Sequence, residues 1–352
     1  MGDCTLVLVY ERPGDCLNRL VAEGHPSQHA QAIASYLAQS IDMEPEFPAL
    51  EQACAERNLR FEATTLDAFA ANLSGYRPEQ TLVWTLTDGI SYFSGSVSPG
   101  LARLGMLRRV GCEDALFSLC QDKFRSGAVL HALGIATPPT ALARNGTFIS
   151  PRSAIEGATS WFVKPNRLGA KIGIFADSHC HSIKEALALS ERIYAAYGDD
   201  AVLQSYVPGE NLRASWLDVD GTGDLARLGT WLVKSGEDFQ TMSDSLALYG
   251  DTGAQAKSAG FYREPTLVDL ATNNPRAANA VAETAARLVN GLGLRDVFSL
   301  DFRLGPDGRL TLLEFEVCPG LPCFDFRAYV KATWRMTLPA AMAALAARKL
   351  AS

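Results

Sequence analysis

Short apolar runs alternate with segments of helical periodicity over the first hundred residues. The runs TLVLVY at 5–10 and TLVWTL at 81–86 have the length and composition of strands buried on both faces. A helical segment at 29–39 and a further short strand at 60–63 lie between them. Such alternation is typical of a parallel sheet covered by helices, so an N-terminal α/β layer is predicted. Ligands of these sheets bind beyond the carboxyl ends of the strands, where an Asp-Gly pair stands at 88–89.

Composition and charge argue against two classes of partner. The 352 residues carry a net charge of −7 without a long basic run, so nucleic acid is not an expected ligand. No stretch approaches the roughly 20 apolar residues of a membrane span, and the start of the chain lacks the basic segment of a signal peptide. The eight cysteines are scattered without a CxxC pair, which is the pattern expected in a reducing compartment. The cytoplasm is therefore the expected location.

A glycine-containing loop between two short apolar runs marks the middle of the chain. The run WFVK at 161–164 is followed by NRLGAKIG at 166–173 and by an apolar pair at 174–175, which predicts a hairpin flap. Backbone N–H groups of such a flap can cover phosphates, and lysines beside it can add positive charge. Taken one at a time, these lysines are more readily interpreted as solvated surface groups. The candidates are Lys123, at the start of a predicted helix, Lys164 and Lys171.

A second candidate nucleotide contact follows the next strand. The strand predicted at 201–206 ends in a Pro-Gly turn at 208–209. Backbone groups at the end of this strand can hydrogen-bond an adenine ring, and Glu210 is placed to reach ribose hydroxyls. Arg213 lies in the next predicted strand, at 211–218, where it either contacts phosphate or pairs with an acid.

The strongest turn signal of the chain lies near its C-terminal end. GPDG at 305–308 separates predicted strands at 297–304 and 309–316. If these four residues form the loop, Leu304 pairs with Arg309. The register of this hairpin then decides which side chains share a face.

In this register, three acids share one face of the hairpin. Asp301 lies opposite Leu312, and side-chain alternation puts Glu314 and Glu316 on the same face as both. Carboxylates this close repel one another, and a hard cation such as Mg²⁺ relieves the repulsion. Two such ions can clamp a phosphoryl group during transfer. A solvated acidic face without any ion is the alternative interpretation.

These pieces occur in one order along the chain: QDK, FVKPNRLGAKIG, LQSYVPGE and SLDFRLGPDGRLTLLEFEVCPGLP. That order and spacing resembles the D-alanine–D-alanine ligase branch of the ATP-grasp superfamily. TDGISYFSGS and QDKFRSGAVLHALGIATP extend the resemblance over most of the chain. The combination is specific, although each piece alone is weak, and it favours the metal site over the solvated acidic face.

The resemblance implies an α/β protein with the ATP-grasp fold. An N-terminal parallel α/β domain is expected over 1–111, followed by a central domain with the flap over 112–206 and a C-terminal domain with the metal site over 207–352. The central and C-terminal α+β domains would clasp ATP between them. A homodimer is implied by resemblance alone.

The resemblance also assigns roles to individual residues. ATP and two Mg²⁺ ions, with Mn²⁺ as an alternative, are the implied cofactors. A substrate carboxylate attacks the γ-phosphate to give an acyl-phosphate and ADP, and an amine then displaces phosphate. The implied nucleotide contacts are Lys123, Lys164, Gly169, Ala170, Gln204, Ser205, Tyr206, Val207, Glu210 and Arg213; the metal ligands are Asp301, Glu314 and Glu316; and the catalytic candidates are Gly320, through its backbone N–H, Lys171 and Arg303.

Two departures from the family pattern concern the metal and the charge of the transition state. The third metal ligand, usually Asn, is Glu316, which is still an oxygen ligand. The family's oxyanion arginine is replaced by Ser299, so positive charge must come from elsewhere. Arg303 and Arg327 are the predicted replacements.

Two further departures concern the substrates. Ala-Lys at 170–171 stands where the family has a pair of serines, and Leu-Pro-Cys at 321–323 replaces polar residues that would contact a second D-alanine. We therefore predict a divergent ligase for another amino acid or small carboxylate. The alternatives are a D-alanine–D-alanine ligase, a ligase whose nucleophile is a thiol, and a nucleotide-binding module without catalysis.

Overall fold

The structure is a computed structural model, and its description covers most of the chain. The predicted helix at 29–39 falls largely outside the described residues, as do the Asp-Gly pair at 88–89, Ala170 and most of a loop predicted at 236–265. The described residues are 4–27, 30–31, 33–34, 43–86, 94–169, 171–235, 238–239, 241, 265–321 and 324–352.

The N-terminal part is a four-stranded parallel sheet with strand order β2-β1-β3-β4. β1 and β3 are the two apolar runs, and helices accompany the sheet, which confirms the predicted α/β layer. The strands are β1 (Thr5–Val9), β2 (Arg60–Thr64), β3 (Thr81–Thr85) and β4 (Arg108–Arg109), and the helices are α1 (Pro13–Ala22), α2 (Phe47–Ala55), α3 (Leu66–Ala71) and α4 (Ser94–Leu104).

The central part is a five-stranded antiparallel sheet with strand order β6-β5-β9-β7-β8. Ser182 and Glu185 form a capping box at the start of its longest helix. The strands are β5 (Thr140–Arg144), β6 (Thr147–Phe148), β7 (Trp161–Pro165), β8 (His179–Cys180) and β9 (Ala201–Ser205), and the helices are α5 (Asp114–Gln121), α6 (Lys123–Ala132) and α7 (Ile183–Tyr197).

The return strand of the flap differs from the prediction. β7 pairs with β8 at 179–180, so the strand predicted at 174–175 is wrong. The segment before β8 forms two successive turns: Ile172 N–H donates to Gly169 O and Ile174 N–H donates to Lys171 O, both at 3.0 Å. Lys171 has a left-handed backbone, with φ of 64°. A short apolar pair within successive turns cannot join a ladder.

The C-terminal part is a five-stranded antiparallel sheet with strand order β12-β11-β10-β13-β14. The strands are β10 (Glu210–Leu217), β11 (Gly229–Lys234), β12 (Thr266–Asp269), β13 (Val297–Leu304) and β14 (Leu310–Glu316), and the helices are α8 (Leu270–Asn273), α9 (Pro275–Leu292), α10 (Phe324–Trp334) and α11 (Leu338–Ala351).

The terminal helix predicted at 333–350 is confirmed over 338–350, but its predicted start is wrong, because α10 ends at Trp334 and α11 begins at Leu338. Pro339 lacks the N–H that a continuous helix would donate to the carbonyl four residues earlier, at Arg335. The Thr337 side chain caps the new helix by accepting from Ala340 N–H.

Helix α11 packs against the N-terminal sheet. Met342 and Leu345 of this helix share one buried cluster with Leu6, Leu8 and Trp84. The first and last parts of the chain therefore share a core, while the domain limits at 111 and 206 stay predictions. Among the described helices, none is long and apolar enough to cross a membrane.

Asp296 ties three distant parts of the chain together, and its loss should destabilise the fold. Its Oδ2 accepts from Gly111 N–H at 2.8 Å and from Lys349 Nζ at 2.6 Å, and its backbone has φ of 62°. We expect Asp296→Ala to lower the free energy of unfolding by about 2–4 kcal/mol, measured with urea. Asp296→Asn, which tolerates the left-handed backbone and keeps an acceptor, should lose less. Equal losses in the two variants would contradict this explanation.

Candidate active site

The acids of the β13–β14 hairpin converge through a register that the sequence did not reveal. Leu304 pairs with Leu310 and not with Arg309, so the predicted register is wrong by one residue. An uninterrupted ladder in this register would turn Glu314 away from Asp301. However, the register shifts by one residue at a bulge between Asp301 and Phe302. Phe302 pairs with Leu312, whereas Asp301 pairs with Glu314, so the two acids lie on the same face.

Three carboxylates therefore meet at one place. Asp301, Glu314 and Glu316 each offer an oxygen, and these oxygens lie within 4.8 Å of one another. Their side chains are 27%, 31% and 37% exposed. Burial raises the pKa of Asp301, with the neighbouring carboxylates of Glu316 and Glu314 adding to the rise against the effect of Arg213. Oxygen donors in this number and spacing suit Mg²⁺, so the residues present fit the implied cation.

Lys164 links the central sheet to these acids. It lies on β7, its side chain is 8% exposed, and its Nζ is 3.5 Å from Glu314 Oε2 on β14. The Lys164 ammonium holds the pKa of Glu314 well below its usual range. This contact brings a predicted phosphate-binding lysine and a predicted metal ligand into one site.

Lys123 is the second buried lysine of the site. It begins α6, and its Nζ donates to Leu168 O at 2.7 Å, at the base of the flap. Burial lowers its pKa, against the attraction of Glu314. Asn166 links the end of β7 to the start of α6, since its backbone O accepts from Lys123 N–H and its Oδ1 accepts from Phe124 N–H.

Arg213 stands among the acids and pairs with them in this structure, while its predicted contact with phosphate stays a prediction. Its Nη1 lies 3.1 Å from both oxygens of Asp301, and its Nη2 lies 3.2 Å from Glu316 Oε2. Its Nε donates at 2.8 Å to Asp325, a buried acid at the start of α10. Sequence reasoning missed Asp325, because nothing in the local pattern links residues 112 positions apart.

The flap residues are only partly described. Gly169 and Lys171 take part in the turn that follows β7, and Ala170 lies outside the described residues. The roles proposed for them in covering phosphate stay predictions.

The predicted adenine-binding segment runs from the end of β9 to the start of β10. Gln204 turns its side chain inward, where Nε2 contacts Thr140 Oγ1 at 3.3 Å, so its side chain is not presented to a ligand. Backbone N–H groups of Ser205 and Tyr206 are bonded within the central sheet region. Val207 follows directly, and the Glu210 side chain is 57% exposed beside Lys234.

Arg303 braces this segment and is not directed at the acids. Its Nε donates to Val207 O at 2.9 Å and its Nη2 to Tyr206 OH at 2.8 Å, while the Nη nitrogens also bond Asn211 and Asp238. Five hydrogen bonds therefore use its guanidinium, which is 6% exposed. The structure thus gives no support to Arg303 as the source of transition-state charge.

Arg327, the other predicted replacement, is also engaged elsewhere. It lies on α10, is 51% exposed and pairs with Glu46 at 2.5 Å. Gly320 lies in the loop after β14, between buried Pro319 and Leu321, and its role stays a prediction. The nearby Cys318 donates to Thr85 O at 3.1 Å, as a packing thiol does.

Arg303→Met should weaken nucleotide binding without removing any group that touches phosphate. Loss of its hydrogen bonds frees Tyr206 and Val207 from the strand beneath them, so we expect ADP affinity to fall by about tenfold, or 1.4 kcal/mol, in calorimetry. Arg303→Lys, which keeps the charge but not the planar fork, should behave similarly. If ADP affinity were unchanged and only stability fell, Arg303 would stabilise the fold without contributing to nucleotide binding.

Proteins of similar sequence include D-alanine–D-alanine ligases. The chain matches no known family model. It is 26% identical over 236 residues to a D-alanine–D-alanine ligase of Tolumonas auensis, a match that covers 65% of this chain and 64% of that relative. It is 22% identical over 317 residues to a D-alanine–D-alanine ligase of Vibrio atlanticus, covering 86% of this chain and 89% of the relative.

Solved structures resemble the chain over its whole length. D-alanyl-alanine synthetase A from Vibrio cholerae superposes with a TM-score of 0.65 at 15% identity, covering 100% of both chains. The D-alanine–D-alanine ligase from Bacillus anthracis complexed with ATP gives 0.63 at 13% identity, covering 98% of this chain and 96% of that one. D-cycloserine synthetase gives 0.57 at 17% identity, covering 98% and 99%. At these identities the likeness shows a shared fold.

Proposed function

We propose that this chain, which has the ATP-grasp fold and resembles the D-alanine–D-alanine ligases, is an ATP-dependent ligase that joins a carboxylate to an amine. The reaction forms an amide or peptide bond and releases ADP and phosphate. One observation carries the proposal: Lys164 of the central sheet meets Glu314 of the C-terminal sheet at 3.5 Å. The proposed phosphate-binding lysine and the proposed metal-binding acid thereby lie side by side.

In this proposal, one set of residues binds the nucleotide and another binds the metal ion. Lys123 and Lys164 would hold nucleotide phosphates, and the segment ending at Val207 would hold adenine. The acids would hold Mg²⁺, which when bound neutralises phosphate charge during transfer. The substrate carboxylate then forms a bond to the γ-phosphorus as the bond to ADP breaks. The amine next attacks the acyl carbon, the bond from that carbon to the phosphate oxygen breaks, and the departing phosphate takes up the proton that the nitrogen loses.

The substrate is proposed to be an amino acid or small carboxylate other than D-alanine. The segment 321–323 lacks the polar residues that would meet a second D-alanine, and its described member, Leu321, is buried. D-cycloserine synthetase, one of the structural neighbours, bears a name that points to a different product on this fold. A cytoplasmic location, a homodimer and the three domain limits remain predictions that accompany this proposal.

D-alanine–D-alanine ligation is the second candidate, favoured by the names of the relatives. A nucleotide-binding module without catalysis is the third. The close approach of Asp301, Glu314 and Glu316 argues against it, since a module that only held nucleotide would gain little from three repelling carboxylates.

The test is ADP release from Mg·ATP with D- and L-amino acids and small carboxylates, singly and in pairs, with mass spectrometry of the products. We expect ADP only when one particular carboxylate and one amine are both present, and little from D-alanine alone. Robust dipeptide formation from D-alanine would favour the second candidate instead. Mg·ATP binding without ADP from any mixture in a broad panel would favour the module.

A further inference from the structure

Arg213 lies at the junction of the metal-binding acids and the strand that follows the nucleotide segment. β10 and β13 pair so that Arg213 is directly opposite Asp301, and both side chains stand on one face of the sheet. Its Nη2 donates to Ser299 Oγ at 3.1 Å as well as to Glu316. The guanidinium therefore occupies the space over Ser299, and its side chain is 18% exposed.

A buried carboxylate outside the acid triad fixes one side of this guanidinium. Asp325 is 2% exposed, and its Oδ2 accepts from Arg213 Nε at 2.8 Å and from Ser215 Oγ at 2.9 Å. An arginine that only neutralised the triad would gain nothing from a further buried acid that itself needs a counter-charge. The anchor instead holds Nε in place and leaves both Nη groups directed at the site.

We propose that Arg213 binds the phosphoryl group during transfer and the oxyanion that forms when the amine attacks. This inference rests on the proposed ligase function. In the structure, the Nη groups of Arg213 donate to Asp301 and Glu316. If these acids instead bind a cation, the same Nη–H donors become available to the phosphoryl group held beside that cation. A planar fork of donors matches phosphate geometry, and the small side chain of Ser299 leaves room for it. Arg213 stays protonated throughout and exchanges no proton with the reactants.

This placement supplies the positive charge that an arginine at position 299 would otherwise give. The guanidinium comes from the neighbouring strand, and its contact with Ser299 Oγ shows that the two positions reach the same space. Arg303 and Arg327, by contrast, are held by other partners.

The test uses Mg·ADP with and without aluminium fluoride, which mimics the transferring phosphoryl group and needs no identified substrate. Calorimetry on the full chain compares wild type, Arg213→Met and Arg213→Lys. The matched control is Arg103→Met, which breaks an ion pair with Asp114 in which the arginine is 63% exposed. In Arg213→Met, the buried Asp325 carboxylate loses its partner, and this variant alone could fail to fold. The double variant Arg213→Met/Asp325→Asn removes that buried charge and is measured as well.

We expect fluoride to tighten ADP binding in wild type and in the control. Arg213→Met and the double variant should lose about 100-fold of that gain, with Arg213→Lys in between, measured as the ratio of the ADP affinities with and without aluminium fluoride. Full fluoride-dependent tightening in the folded Arg213 variants would overturn the inference and leave the ligase proposal intact. Failure of the wild type to bind Mg·ADP at all would overturn both.

Discussion

Glu314→Gln should abolish most ATP-dependent ADP release while leaving the chain folded. The amide keeps the size of the side chain but removes a negative charge that serves both the metal site and the pairing with Lys164. It would take an anionic oxygen from the metal site and leave Lys164, 8% exposed, without its carboxylate. Loss of one group that stabilises developing charge typically lowers turnover by about 10²–10³-fold, and the loss of metal affinity adds to this. The measurement is steady-state ADP release as a function of Mg²⁺ concentration with the active substrate pair.

The Mg²⁺ dependence separates a metal ligand from a merely structural acid. Glu314→Gln should shift half-saturation to higher Mg²⁺, and excess Mg²⁺ or Mn²⁺ should recover part of the rate. Glu283→Gln, a change of the same chemistry at an exposed position of α9, serves as the control and should alter neither quantity. A Glu314→Gln variant with wild-type Mg²⁺ dependence would remove Glu314 from the proposed metal site.

Strong periodic signals explain how much of the fold could be predicted. The apolar runs of β1 and β3 and the turn between β13 and β14 lie in their expected places because each is encoded by adjacent residues. The family resemblance carried by the order of these motifs along the chain predicted that a lysine of the central sheet and an acid of the hairpin would meet. Lys164 and Glu314, 150 positions apart, do meet.

Features that depend on one residue or on distant partners could not be predicted. The loop of the acidic hairpin is one residue longer than the GPDG signal, and a bulge restores the shared face of Asp301 and Glu314. The two departures cancel, so the predicted convergence is right although the predicted pairing is wrong. The anchor of Arg213 at Asp325 is a tertiary contact between β10 and α10, and no local pattern encodes it.

Lys123→Met should leave the free chain as stable as wild type or more stable, while greatly weakening nucleotide binding. Lys123 is buried at the first position of α6, where the helix dipole disfavours a positive charge by about 0.3–1 kcal/mol. Burial lowers its pKa, so folding at neutral pH works against its protonated form. Its charge-assisted bond to Leu168 O contributes about 1.5–3 kcal/mol, which offsets only part of the cost of burying the ammonium, and a methionine of similar length fills the same space.

A residue that costs the fold stability is expected to act on a ligand instead, and the two effects of Lys123→Met can be measured apart. Urea unfolding without nucleotide should give an unchanged or higher free energy, whereas calorimetry with Mg·ADP or Mg·ATP should show affinity reduced by about 30–100-fold, or 2–3 kcal/mol. Wild type should gain thermal stability from saturating Mg·ATP, and the variant should gain much less. Lys349→Met is expected to show the opposite pattern. Lys349 pairs with Asp296, which is not one of the acids of the site, so its loss should lower stability without changing nucleotide affinity. If Lys123→Met instead destabilised the free chain and bound nucleotide normally, Lys123 would be a structural residue of α6, and the phosphate site would have to be sought around Lys164 alone.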